Sequence, residues 1–168
     1  ITTMIKTKKD KRQCIVDAAT ELFHSAHDMR KVSVEDIARQ ARVSPTTIYN
    51  YFGTREALVC EVAKKLIIAI FERVSGIMRS DLPFDKKMVA AVAGKIDLAS
   101  QVNGEILAKV VSQNKHLAPF VEEIYRTEIR PMWLDFVAEG KQQGYIDPAV
   151  DEEALLIYLD TIKAGFNI

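Results

Sequence analysis

Cysteine, glycine and proline are all scarce in this chain. Two cysteines, Cys14 and Cys60, are too few for a disulfide framework. Seven glycines and five prolines among 168 residues leave little material for the turns of a many-stranded β fold. Long apolar runs are missing too: the most apolar stretch, Leu66 to Phe71, follows Lys64 and Lys65 and falls far short of the ~20 residues that span a bilayer. No secretory pattern is visible, although the chain starts at Ile1 and Met4 reads as a candidate natural start. A reducing, cytoplasmic setting without membrane attachment is the expectation. Nucleophile–base pairings, P-loops and dinucleotide fingerprints are absent as well, so neither an enzyme nor a cofactor is expected. His116 stands alone.

Net charge is also lacking, since 23 Lys and Arg balance 23 Asp and Glu. The balance hides an asymmetry. Residues 1–65 carry 12 basic and 8 acidic side chains, and residues 66–168 carry 11 and 15. A basic head on an acidic body fits a protein that touches a polyanion with its amino-terminal part.

What is present is helical periodicity. Over residues 8–27, Ile15, Ala18, Ala19, Leu22 and Phe23 recur at i, i+3, i+4, i+7 and i+8. Ser33 opens a second helix, with Asp36 three residues on in capping-box position and Val34, Ile37, Ala38 and Ala41 as its inner face. Ser44 and Pro45 open a third helix, since proline at the first helical position gives up an amide that has no partner there. Ile48 and Phe52 point inward, and Gly53 ends that helix. Thr54 caps a long fourth helix along Leu58, Val62, Leu66, Ile70, Val74 and Met78. Asp81-Leu82-Pro83 interrupts the pattern. Helices follow over about 84–98 and 103–114. A long helix over 117–143 turns Phe120, Ile124, Trp133, Phe136 and Val137 inward, and Pro131 should kink or break it. A last helix over about 151–166 carries Ala154, Leu155, Tyr158, Leu159, Ile162 and Phe166. No period-two strand pattern occurs. The expected fold is all-α, with a small amino-terminal head over 1–55 and a larger helical body over 56–168.

The segment from Ser33 to Phe52 carries the function. Two short capped helices are joined by a tight turn at Ala41-Arg42-Val43, and Ile37, Ala38, Val43 and Ile48 set their crossing. The outer face of the second presents Thr46, Thr47, Tyr49, Asn50 and Tyr51, hydroxyls and an amide rather than long charged chains. Groups of this kind reach base edges and phosphates when a helix lies in the major groove.

The order Ile15-x-x-Ala18-Ala19-x-x-Leu22-Phe23, Val34-x-x-Ile37-Ala38, Val43-Ser44-x-x-Thr47-Ile48-Tyr49-x-Tyr51-Phe52 and Arg55-Glu56-x-Leu58 resembles the amino-terminal domain of the tetracycline-repressor family. The resemblance covers residues 12–60. It implies an all-helical homodimer that represses transcription from a palindromic operator in double-stranded DNA and is released by a small-molecule effector. By position it places Pro45, Thr46, Thr47 and Asn50 against bases or adjacent backbone, with Ser44 beside them as a further DNA-binding candidate. Tyr49, Tyr51, Ser33 and Arg55 fall against phosphates. Two departures stand out: the link His24–Met29 has no glycine, and Arg42 replaces the usual glycine of the turn, where it takes a left-handed backbone conformation or reshapes the turn. Its side chain is a further phosphate candidate. The arm Lys6, Lys8, Lys9, Lys11 and Arg12 either follows the DNA backbone or is a frayed end.

In such proteins the effector pocket lies between the later helices. Phe71, Met78, Gln101, Asn103, Leu107, Phe120, Tyr125, Trp133 and Phe136 are the candidate lining, suited to an apolar or amphipathic molecule; each also reads as plain core. The family dimerises through its last two helices, and the sequence stops at Ile168 soon after the first of them, so either a final helix lies beyond it or the interface differs. Trp133, Tyr158, Leu159, Ile162 and Phe166 are the interface candidates. His24, His27 and Asp28 lack a third ligand at metal spacing, so no metal is expected. Cys14 and Cys60 read as small buried hydrophobes, with redox sensing as the alternative. The main rival is a helical small-molecule-binding protein that does not bind DNA; an enzyme is the second.

Overall fold

The computed structural model describes residues 10–26, 31–90, 93 and 114–165, and every regular element among them is helical. The elements are α1 (Lys11–Ser25), α2 (Val34–Ala41), α3 (Pro45–Phe52), α4 (Arg55–Met78), a helical stretch over 84–90, α5 (Ala118–Ile124), a widened turn at Tyr125–Ile129, α6 (Arg130–Gln142) and α7 (Glu152–Gly165). No helix among the described residues is long and apolar enough to cross a membrane. The described residues up to Ile67, with Asn114 and Lys115, form one compact unit; those from Ile68 to residue 90 and from His116 onward belong to a second.

The first unit is built on the apolar stripes of α1 to α4. Ile15, Ala19, Ile37, Ile48, Leu58 and Val62 are its innermost side chains, each at most 1% exposed. Each large aliphatic chain buried this way contributes about 1.5–3 kcal/mol of hydrophobic stabilisation. Val16 joins this core, while Leu22 packs against it only partly buried. Helix α1 starts at Lys11 because the Asp10 carboxylate accepts from the Arg12 amide, 3.2 Å, and it ends at Ser25, short of residue 27.

In the second unit Val74, Met78, Phe84, Met132 and Phe136 make the core, with Phe71, Trp133 and Ile146 packed against it. Phe84 stacks on Phe136 at 4.4 Å between centroids and on Tyr145 at 5.0 Å, and Trp133 meets Phe136 edge-on at 5.9 Å. The Phe84 ring lies directly on Gly140, where an added Cβ would come 2.7 Å from Phe84 Cζ and 2.8 Å from Ile146 Cδ1. Glycine is required there for the approach. Alanine in a helix ordinarily gains up to about 1 kcal/mol over glycine, but forced repacking costs about 1–3 kcal/mol. Phe84 is held on both faces and cannot swing away, so Gly140→Ala should lower stability by about 1–2 kcal/mol in chemical denaturation.

The chain stays helical across Pro131. Pro131 has no amide to return to the Thr127 carbonyl, and in α geometry its ring would strike that carbonyl. The turn before it widens instead, and the Arg130 amide reaches back five residues to the Tyr125 carbonyl. Phe120 and Ile124, expected inside, are half-buried, and Pro131 neither breaks nor ends the helix. In α7 Leu156 is buried and Leu155 half-buried, whereas Ala154 and Tyr158, expected inside, are exposed, Tyr158 at 63%; the side chains of Leu159, Ile162 and Phe166 lie outside the described residues. The Asp151 carboxylate caps α7 by accepting from the Ala154 amide, 2.8 Å, and Lys141 pairs with Glu152 across α6 and α7, 3.1 Å.

Candidate nucleic-acid interface

Helix α2 begins with a complete capping box. Ser33 Oγ accepts from the Asp36 amide, 3.1 Å, and the Ser33 amide donates to Asp36 Oδ2, 3.1 Å. The hydroxyl and amide of Ser33 hold the Asp36 carboxyl below the ordinary carboxylate range, outweighing desolvation, with Arg39 adding to the effect. The depressed carboxyl favours the folded helix at neutral pH, and that contribution is lost as pH falls through its lowered value. Ser33→Ala removes the cap and should cost about 1 kcal/mol in a denaturation midpoint. The same change should let the Asp36 titration, followed by NMR, move back up.

The turn after α2 closes through the Val43 amide on the Ala38 carbonyl, 3.0 Å, which requires the residue between to be left-handed. Arg42 takes that role, with φ 55° and ψ 46°. The turn therefore keeps its shape without glycine. Ser44 Oγ then accepts from the Thr47 amide, 3.1 Å, and Pro45 occupies the first turn of α3. Gly53 closes α3 with φ 75°, its amide on the Tyr49 carbonyl at 2.8 Å.

Ile48 is 1% exposed, and Phe52, one turn on, packs against the same core. Their inward placement turns Thr46 and Asn50 directly outward at i, i+4, with Tyr49 and Tyr51 on the two flanks, 47% and 43% exposed. Thr47 is half-buried, its Oγ1 lying 2.9 Å from Ser44 Oγ, so it shares its hydroxyl with the cap. Together α3 offers a solvent-facing set of one amide, one free-standing threonine and two phenols on a helix whose other side is locked.

Two arginines sit differently from the expectation. The Arg55 guanidinium donates to the Val32 carbonyl, 3.2 Å, and its centre lies 6.0 Å from the Phe23 ring centroid, so it braces the start of α2 against α1 from the first residue of α4. Arg12 is not part of a loose arm. It pairs with Glu61 of α4 and lies over the Phe52 ring at 5.2 Å, tying α1, α3 and α4 together. Burial alone would push the Glu61 carboxyl up, but hydrogen bonds from Arg12 and Lys64 and their charges hold it below the usual glutamate range. Lys65 pairs with Asp17 at 2.7 Å in the same α1–α4 seam. Lys6, Lys8 and Lys9 lie outside the described residues, while Lys11 is exposed in the first turn of α1.

Of the pocket candidates, Phe71, Met78, Trp133 and Phe136 come together in the core of the second unit. Phe120 and Tyr125 are half-buried on α5 and the widened turn. Gln101, Asn103 and Leu107 lie outside the described residues, as do His27 and Asp28. Among the described residues no group of three metal-ligating side chains occurs. Cys60 is buried and Cys14 half-buried, neither in a disulfide, and Asn114 Nδ2 donates to Cys60 Sγ. Sequence reasoning missed the pair Lys87–Glu139: Lys87 is 5% exposed, and its ammonium donates to both Glu139 carboxylate oxygens at 2.8 Å. A lysine in a helical pattern with exposed neighbours on either side gave no signal of its burial.

Comparison with known proteins points one way. The profile of the family described as bacterial regulatory proteins, tetR family, matches residues 15–62. The HTH-type transcriptional repressor KstR2 of Rhodococcus jostii (strain RHA1) is 24% identical over 157 residues, covering 90% of this chain and 76% of that protein. Among solved structures, the fatty acid degradation regulator FadR from Bacillus halodurans superposes with a TM-score of 0.64 at 22% identity, covering 96% of this chain and 82% of that one. The transcriptional regulator FadR from Bacillus subtilis in complex with stearoyl-CoA gives a TM-score of 0.57 at 23% identity, over 84% and 77% of the two chains.

Proposed function

We propose that this chain, which belongs to the tetracycline-repressor family of DNA-binding transcriptional regulators, acts as a homodimer on a palindromic operator and is released from it by an apolar or amphipathic effector. The observation that carries the reading is the outer face of α3. Thr46, Tyr49, Asn50 and Tyr51 are exposed on a helix fixed by Ser44, Pro45, Ile48 and Gly53. Thr46 and Asn50 read base edges. Tyr49 and Tyr51 hold the flanking phosphates. Ser33 and Arg55 add backbone contacts from the starts of α2 and α4, the Arg55 guanidinium bringing its positive charge to the phosphates. Pro45 and Thr47 seat the amino end of α3 against the groove floor.

Two subunits set two such helices roughly 34–36 Å apart, one turn of DNA. Ile157 and Tyr158, 65% and 63% exposed on α7, offer an apolar face for the second subunit. The amino-terminal head extends to the start of α4, near residue 55, and the remaining helices form the effector-binding and dimerising body. Phe71, Met78, Trp133 and Phe136 supply an apolar environment there, and the stearoyl-CoA held by the Bacillus subtilis relative makes a long-chain acyl thioester the first effector to try. Selection from a random-sequence duplex library by the intact protein tests the reading. An inverted repeat with half-site centres about 10 bp apart is expected, and stearoyl-CoA is expected to release it. A library that emerges unenriched sinks the regulator reading and favours a helical ligand-binding protein.

A further inference from the structure

Among the described residues Arg42 is the non-glycine residue with a positive φ. At φ 55° and ψ 46° its Cβ crowds the following carbonyl, a conformation that glycine adopts without penalty. Strain of this kind persists where the surrounding structure holds it, as the Val43–Ala38 closure does here, and it clusters at binding sites. Among the described residues nothing depends on the Arg42 side chain. Arg42 is exposed and makes no ion pair or side-chain hydrogen bond among the described residues. The other described arginines of the first unit are engaged: Arg39 with Asp36 at 3.1 Å, Arg12 with Glu61, and Arg55 with the Val32 carbonyl at 3.2 Å. The residue stands two positions before the Ser44 cap, at the amino end of the helix whose outer face was just described.

We infer that Arg42 is a DNA-phosphate contact, and that the turn accepts backbone strain in exchange for a fork of guanidinium donors beside the reading helix. The inference rests on the DNA-binding reading above and adds to it a specific division of labour: α3 selects sequence, while Arg42 adds affinity without selecting. The carboxyl end of α2 offers a competing reason for a cation at this point, because helix dipoles favour one there. The two reasons predict opposite results for glycine.

The test is Arg42→Gly in the full chain, with Arg42→Ala and Arg42→Lys beside it. Melting temperature is read without DNA. Affinity is read over a series of salt concentrations on the selected operator and on an unrelated duplex. With a phosphate contact, Arg42→Gly melts higher than wild type and binds both duplexes several-fold more weakly by the same factor, with a salt slope smaller by about one. Arg42→Ala shows the same loss of affinity without the gain in melting temperature, and Arg42→Lys retains the slope. Unchanged affinity of the glycine variant, a loss confined to the operator, or a lower melting temperature overturns the inference while leaving the regulator reading intact. A wild-type protein that binds neither duplex overturns both.

Discussion

Glu139→Ala should cost about 3 kcal/mol of stability, more than any other single surface-accessible change considered for the second unit. The reason is its partner. Lys87 has 6% of its side chain exposed, and both oxygens of Glu139 receive its hydrogens at 2.8 Å. Taking two charges out of water is costly, and attraction between them repays much of that cost only while both are present. Removing the carboxylate leaves a buried ammonium with no counter-charge. Glu139 is a quarter exposed, so water reaches the site in part and keeps the penalty toward the low end of the range for broken buried pairs, about 3–5 kcal/mol. Gln143, whose amide donates to Glu139 Oε1 at 2.9 Å, cannot replace it because an amide carries no charge. The double change Lys87→Met with Glu139→Leu should recover most of the loss, since it removes the charge along with its partner. Urea denaturation of the three proteins checks this. A Glu139→Ala midpoint within error of wild type would show that the pair is solvated rather than structural.

The second large effect concerns the outer face of α3. Asn50→Ala should weaken operator binding by about 10- to 100-fold, the equivalent of roughly 1–3 kcal/mol for a lost side-chain contact to a base. Its melting temperature should stay at the wild-type value, because Asn50 is exposed and contributes nothing to the packing of Ile48 and Phe52. Affinity for an unrelated duplex should change little. Tyr49→Phe is the contrasting case: loss of one phenol at a phosphate lowers binding to every duplex alike, and by less. Titration of both variants against operator and unrelated DNA separates base reading from backbone holding. An Asn50→Ala protein that loses equally on both duplexes would place Asn50 on the backbone.

How much of this was written locally in the chain follows from the range of each interaction. The caps of α2 and α3 were legible because Ser33 with Asp36, and Ser44 with Thr47, act over three residues, and Pro45 and Gly53 act through their own backbone. The left-handed turn at Arg42 was one of two shapes open to the sequence, and the structure adopts it. Contacts across long separations were not legible. Arg12 meets Glu61 across 49 residues and Lys87 meets Glu139 across 52, and nothing near either residue announces its partner. Arg55 was read outward from the helix start, but Val32 lies 23 residues earlier and takes its guanidinium. The same limit applies to Phe84 on Gly140: a glycine inside a helical pattern reads as a weakness until the ring that rests on it is known. Pro131 shows the converse. Its local penalty was clear, and the widened turn that absorbs it was not, since Tyr125 to Ile129 contains no residue that demands it.

The direct measurement is an equilibrium titration of the intact protein with its selected duplex and with a shuffled duplex of the same composition, from about 50 to 200 mM salt. Sequence-specific binding through α3 requires a preference of at least about a thousandfold for the selected duplex, with affinity for both falling steeply as salt rises. Equal affinity for the two duplexes, or binding to neither, would contradict it.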